Sequence, residues 1–192
     1  MKINCFTFLL MLFLSASVLC QVKFEREYRL KSTEVPEKAF HIIEMWKFKK
    51  KVKWYAEESQ DGKTYEAKVC YKRKKHSIEF KENGDLIDVE KTVKFSELKE
   101  EIQRNIEKTL SEKFKKFRIK KVQIQYKGAE SAIYAKLFQL KSIHEEIIPK
   151  YEIILKGKNE KRFKNFEILF NKDGVIEKKI LIKSTDSTNL EF

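Results

Sequence analysis

Glycine and proline are scarce in this chain: its 192 residues include only 5 Gly and 2 Pro. That excludes a flexible or low-complexity linker and points to a continuously folded body. Cysteine is almost as rare. Cys5 and Cys20 fall in the first twenty residues, leaving Cys70 alone in the rest. One thiol closes no internal disulfide, so an exported form holds together through its core. Cys70 alternates with Lys68 and Lys72 and lacks a resolving cysteine, so it reads as a small strand residue on a polar face.

Catalytic groups are equally thin. The histidines are His41, His76 and His144, all expected on the surface. His144-Glu145-Glu146 opens like a zinc-protease helix, but Ile148 stands where the second histidine belongs. No spaced Cys/His set exists for zinc. Asn171 and Asp173 beside Gly174 offer too few oxygens for a calcium loop and no closing Glu, so a hairpin turn is the reading there. There is no phosphate-binding glycine loop and no G-x-S-x-G elbow. The expectation is a protein that is not an enzyme, with no cofactor and no metal.

What is present begins with an export leader. Lys2 precedes an apolar run from Phe6 to Leu14 and a stretch of mostly small residues, Ser15 to Cys20. The run falls short of the roughly 20 apolar residues a membrane span needs. Cleavage after Ser17 or after Cys20 both fit. Bulky Leu19 before Cys20 argues against a lipid anchor there. The expectation is a signal peptide over 1–20 and a periplasmic or secreted chain with no transmembrane segment. Lys2 is the leader's only charge, so its removal lowers the net charge by one from +13.

A repeat organises the remainder. Tyr65-Glu66 leads through Phe80 to Asn83-Gly84, and Tyr151-Glu152 leads through Phe170 to Asp173-Gly174. Phe stands four residues before Gly in both. The spacing predicts a leading strand or ordered arm over 22–31. A helix from Val35 to Trp46 follows, with Pro36 in its first turn. Strands come next around Val52–Ala56, Tyr65–Tyr71, Ile78–Phe80 and 85–93. A second helix, capped by Ser96, carries Leu98, Ile102, Ile106 and Leu110. Further strands fall at Val122–Tyr126, Tyr151–Leu155, Phe166–Phe170 and 175–182. The expected fold class is α+β: two tandem modules over 21–94 and 95–192, each a helix packed on a four-stranded antiparallel sheet. The second carries an insertion at about 128–149, with a helix from Ala132 to Ile143. Whether the two sheets join is open from periodicity alone.

These residues resemble a known family. Val35-Pro36 opening a helix, Lys53-Trp54-Tyr55, Tyr65-Glu66-Ala67, Ile78-Glu79-Phe80 leading to Asn83-Gly84-Asp85-Leu86, and Glu90 are similar to the PepSY-like, β-lactamase-inhibitor-like exported bacterial proteins. Leu98, Tyr151-Glu152 and Phe170-Asn171-Lys172-Asp173-Gly174 match more loosely. The resemblance implies helix-plus-sheet modules, an envelope or secreted location, and protein binding across the open sheet face. It carries over no catalytic residue, and inhibition of a particular enzyme does not follow from a shared fold.

Strand alternation places Trp54, Tyr65, Val69, Phe80, Ile124, Tyr151, Ile153, Ile168 and Phe170 under the helices. It turns Lys53, Tyr55, Lys68, Lys72, Glu79 and Lys81 outward in the first half, and Gln123, Gln125, Ile154 and Leu169 in the second. Apolar Ile154 and Leu169 on a wet face suit either binding anchors or an extra core beneath the insertion. Arg73, Lys74 and Lys75 form a basic hairpin tip. The expected function is a non-catalytic exported module binding another envelope or extracellular protein. The alternative is a basic envelope-associated protein adhering to anionic lipid or polysaccharide. Nucleic acid is not an expected partner.

Overall fold

The computed structural model of the chain describes residues 21–23, 25–59, 62–140, 147–159 and 162–182. The expected leader, residues 1–20, lies outside them, as does His144. Two short N-terminal strands come first, β1 (Gln21–Lys23) and β2 (Glu25–Leu30). Helix α1 (Glu37–Met45) follows, then β3 (Lys53–Ser59), β4 (Gly62–Tyr71), β5 (Lys74–Lys81) and β6 (Leu86–Val93). The second half has α2 (Glu100–Lys113), β7 (Lys116–Tyr126), α3 (Glu130–Phe138), β8 (Pro149–Lys158), β9 (Phe163–Phe170) and β10 (Ile176–Ile182).

The expectation of two tandem helix-on-four-strand modules is overturned. All ten strands belong to one sheet, ordered β1-β10-β9-β8-β7-β6-β5-β4-β3-β2. The halves meet where β6 pairs antiparallel with β7, Val89 opposite Tyr126 and Val93 opposite Val122. Two four-stranded sheets would each leave an edge of unpaired backbone groups, and this junction satisfies both. Nine strands run antiparallel, and β1 alone pairs in parallel, with β10.

The strand order also shows that the sheet curls back on itself. Strands β1 and β2 sit at opposite ends of the order, yet a single residue separates them in sequence. Two residue steps reach at most about 7 Å, so the two edges must meet there. The N-terminal strand thus bridges the seam, pairing with β10 through β1 and with β3 through β2.

The helices pack on the outer face. One core joins Ile42, Ile43 and Trp46 of α1 to Trp54, Ile78 and Phe80. The other joins Ile102, Ile106 and Leu110 of α2 to Ile153, Ile168 and Phe170. Of the nine residues expected under the helices, seven are buried, while Tyr65 and Ile124 are partly buried against these cores. Helix α3 begins and ends earlier than expected and packs Ala132 and Ile133 into the first core, where Tyr134 and Phe138 lie against Trp46. The insertion therefore covers the half of the sheet that precedes it.

The repeated Phe-to-Gly spacing has a physical reason in both halves. Gly84 and Gly174 adopt φ of +83° and +80°, and an added Cβ would lie 2.9 Å from Lys38 Cβ and from Asn105 Cβ. Each turn thus presses against a helix, α1 or α2, with room for no side chain. Asn83 Oδ1 accepts from the Asp85 amide at 3.0 Å, and Asn171 Oδ1 from the Asp173 amide at 2.9 Å, closing the same local loop. Asn171 and Asp173 accordingly form a hairpin turn. Ser96 does not cap α2; it lies in a 3-10 turn, Phe95–Glu97, and Lys99 occupies the cap position.

Candidate functional site

Because the helices cover the outside, the other face of the sheet lines an interior. Residues from β2 through β10 border one cavity of about 270 Å³, among them Glu27, Glu57, Glu79, Glu90, Glu152 and Glu167. The expectation that this face lies open to water needs correcting at its centre. Gln123 is 2% exposed, Asp88 3% and Glu90 5%. Among the described residues, curvature of the ten-stranded sheet buries them.

Hydrogen bonds organise this polar interior. Gln123 Nε2 donates to Glu90 Oε2 at 2.5 Å, and Gln125 Nε2 to Asp88 Oδ2 at 3.1 Å. Ser77 donates to Glu66. Lys68 Nζ lies 3.0 Å from carboxylate oxygens of both Glu27 and Glu66 and 4.5 Å from the Tyr55 ring centroid. Burial dictates the electrostatics, and facing carboxylates add to it. Burial, reinforced by Asp88, raises Glu79 well above the usual carboxylate range, and burial with Glu152 and Glu79 does the same for Glu90. Asp88 is pushed up to about 6, chiefly by burial. Burial alone pulls Lys68 down, but Glu66 and Glu27 outweigh it and leave the ammonium raised. A protein of net charge +13 thus holds a cluster of carboxylates inside.

A second pocket, of about 460 Å³, adjoins this interior and shares Glu66, Lys68, Lys121 and Gln123 with it. Its lining adds Lys50, Lys51, Lys53, Tyr55, Cys70 and Lys75. Here the sign reverses: a cationic mouth stands before an acidic interior.

Of the residues expected to face outward, Lys68, Glu79, Gln123, Gln125, Ile154 and Leu169 line the interior cavity. Lys53 and Tyr55 border the mouth with Lys68 and Gln123. Ile154 and Leu169 lie beside Ile180 on the β8–β10 wall, away from the insertion, so neither an open-face anchor nor a core beneath the insertion describes them. Lys81 is exposed at the end of β5. Lys72 is not on the sheet face; it occupies the β4–β5 turn with Arg73, both at positive φ, and bonds to Gln139 at 3.0 Å. At this tip Lys74 pairs with Glu97 at 2.6 Å, while Arg73 and Lys75 are exposed. His41 is exposed as expected, but His76 is buried. It shares the outer face with Ile78 and Phe80, lies 6.1 Å from the Tyr71 ring, and burial lowers its pKa to about 4.

Glu66, Asp88 and Glu90 are the functional candidates that the sequence reading missed. Their signal was present: Asp88 and Glu90 alternate with Val89, and the Asn83-Gly84 turn sets them opposite Glu79 and Ser77. A register shift beside Phe80 obscures the pairing in sequence.

No protein-family model matches the chain, and no curated protein is similar to it. Among solved structures, a DUF2874 family protein from Bacteroides ovatus is similar in fold, with a TM-score of 0.50 and 13% identity. The match covers 77% of this chain and 87% of that one. No helix among the described residues is long and apolar enough to cross a membrane.

Proposed function

We propose that the protein is an exported, PepSY-like, non-catalytic binding module that grips another envelope or extracellular protein at the mouth of its curled sheet. The observation that carries this reading is the mouth itself. One concave, preformed pocket gathers Lys50, Lys51, Lys53, Lys75 and Lys121 around the half-buried Tyr55 ring. A partner loop bearing carboxylates complements that charge, and Tyr55 supplies a rigid apolar contact with one polar tip. Rigid strands hold the pocket, so docking orders little chain. The motifs Val35-Pro36, Tyr65-Glu66-Ala67 and Ile78-Glu79-Phe80 support the PepSY-like assignment, and the leader sequence supports export.

The test is affinity capture from envelope extract followed by titration of the captured protein. Tyr55→Ala and the pair Lys53→Ala/Lys75→Ala should each weaken binding by more than about 1 kcal/mol with melting temperature nearly unchanged. Equal affinity in all variants overturns the reading. A second reading, adhesion to anionic lipid or polysaccharide, draws on exposed Lys49, Lys50 and Lys51. Adhesion by charge alone collapses by about 0.5 M salt, where the Debye length is roughly 4 Å, whereas the docked complex keeps the share of its affinity that the Tyr55 contact supplies.

A further inference from the structure

Three carboxylates meet on the inner face of the sheet. Glu79, Asp88 and Glu90 each offer an oxygen, and those oxygens all lie within 4.8 Å of one another. They stand on adjacent strands, Asp88 directly opposite Glu79, and Glu90 two residues along from Asp88 on the same face. An independent observation concerns Asp88. The residue is 3% exposed, its Oδ2 is held by Gln125, and its Oδ1 has no hydrogen-bond partner. A buried carboxylate oxygen without a donor is costly, and native proteins almost always satisfy it with protein, water or an ion. The nearby Lys68 is engaged by Glu27 and Glu66.

We propose that Glu79, Asp88 and Glu90 form a calcium site within the curled sheet. The chemistry of the donors selects the ion. Carboxylate oxygens favour a hard cation, and a set of three protein carboxylates suits Ca²⁺, which takes about 6–8 oxygens in flexible geometry. Mg²⁺ binds its oxygens at about 2.1 Å and demands a tighter, near-octahedral set. Gln123 and Gln125 act behind the ligands: by donating to Glu90 Oε2 and Asp88 Oδ2 they fix how those carboxylates point. Glu79 and Glu90 border the cavity, which gives the ion an approach and room for water ligands. With three carboxylates and a divalent ion the site retains a negative charge, which Lys121 and Lys127 offset from nearby. This site does not depend on partner docking at the mouth.

The experiment titrates the mature protein with CaCl₂, and separately with MgCl₂, by calorimetry at neutral pH, with melting curves in calcium and in chelator. The expected result is one Ca²⁺ per chain, with a Kd on the order of 10⁻⁴–10⁻³ M as in extracellular sites, and a higher melting temperature in calcium. Mg²⁺ should bind at least tenfold more weakly. Asp88→Asn and Glu90→Gln should each weaken Ca²⁺ at least tenfold while melting cooperatively in chelator. Half-buried Glu79→Gln serves the same purpose if either buried substitution prevents folding. Absence of both heat and stabilisation at millimolar calcium overturns the site. So does calcium affinity that is unchanged in the variants, which would place any binding elsewhere.

Discussion

The two faces of this sheet solve burial in opposite ways. The outer face meets α1, α2 and α3 through apolar side chains, with Phe80, Ile78, Ile153, Ile168 and Phe170 fully enclosed. The inner face buries Asp88, Glu90 and Gln123 with no helix of the described residues above them. Outside, stability is non-directional and scales with apolar area removed from water. Inside, it depends on each polar atom finding its partner. The comparison teaches that a strict apolar/polar alternation does not assign the polar set to solvent; sheet curvature decides that.

The largest expected effect comes from breaking the outer face. Phe170→Ala should cost about 3–5 kcal/mol, read from denaturant unfolding, because the cavity left between α2 and β9 has rigid walls. Next is His76, a titratable group buried on that face. Its folded pKa of about 4 lies below the ordinary 6.5, so the imidazole is neutral in the fold. Its contribution is intact above pH 6.5 and is lost as pH falls toward 4, up to about 3 kcal/mol. The raised carboxylates act in the opposite sense over the same range, so the measurement is a difference: His76→Gln should show a shallower acid loss than the parent. On the inner face, Gln123→Ala should cost about 1–3 kcal/mol, since it leaves Glu90 without its donor. Combining it with Glu90→Gln should recover part of that loss, a non-additivity that Phe170→Ala does not share with Glu90→Gln. The smallest effect belongs to Gly174→Ala. An alanine there takes on positive φ and crowds Asn105, at a cost of about 1–2 kcal/mol, seen as a lowered melting temperature.

Much of the outer face was legible in the sequence because it follows local rules. The period-3.6 stripe of Ile102, Ile106 and Leu110 and the period-2 placement of Trp54, Val69, Phe80 and Phe170 need no knowledge of the partner strand. The Asn-Gly and Asp-Gly turns were equally plain. The inner site was not, because it depends on non-local geometry. Lys72 was assigned to the face by counting, yet the chain turns there. The joining of β6 to β7 sets residues far apart in sequence side by side, as Glu90 and Gln123 are. His76 follows the outer parity of Ile78 and Phe80, and its polarity alone suggested the surface.

The bridged seam has a kinetic consequence. Gln21 pairs with Ile180, so the first described residues cannot take their places until nearly the whole chain is available. Hairpins such as β4–β5 and β5–β6 close short loops, whereas β1 with β10 closes the longest loop in the molecule, and such pairings are slow to form. The seam is therefore expected to be the last step of folding. Until it closes, β2, β3 and β10 present strand edges to other chains, which makes this interval the one in which newly made protein is most exposed to misassembly.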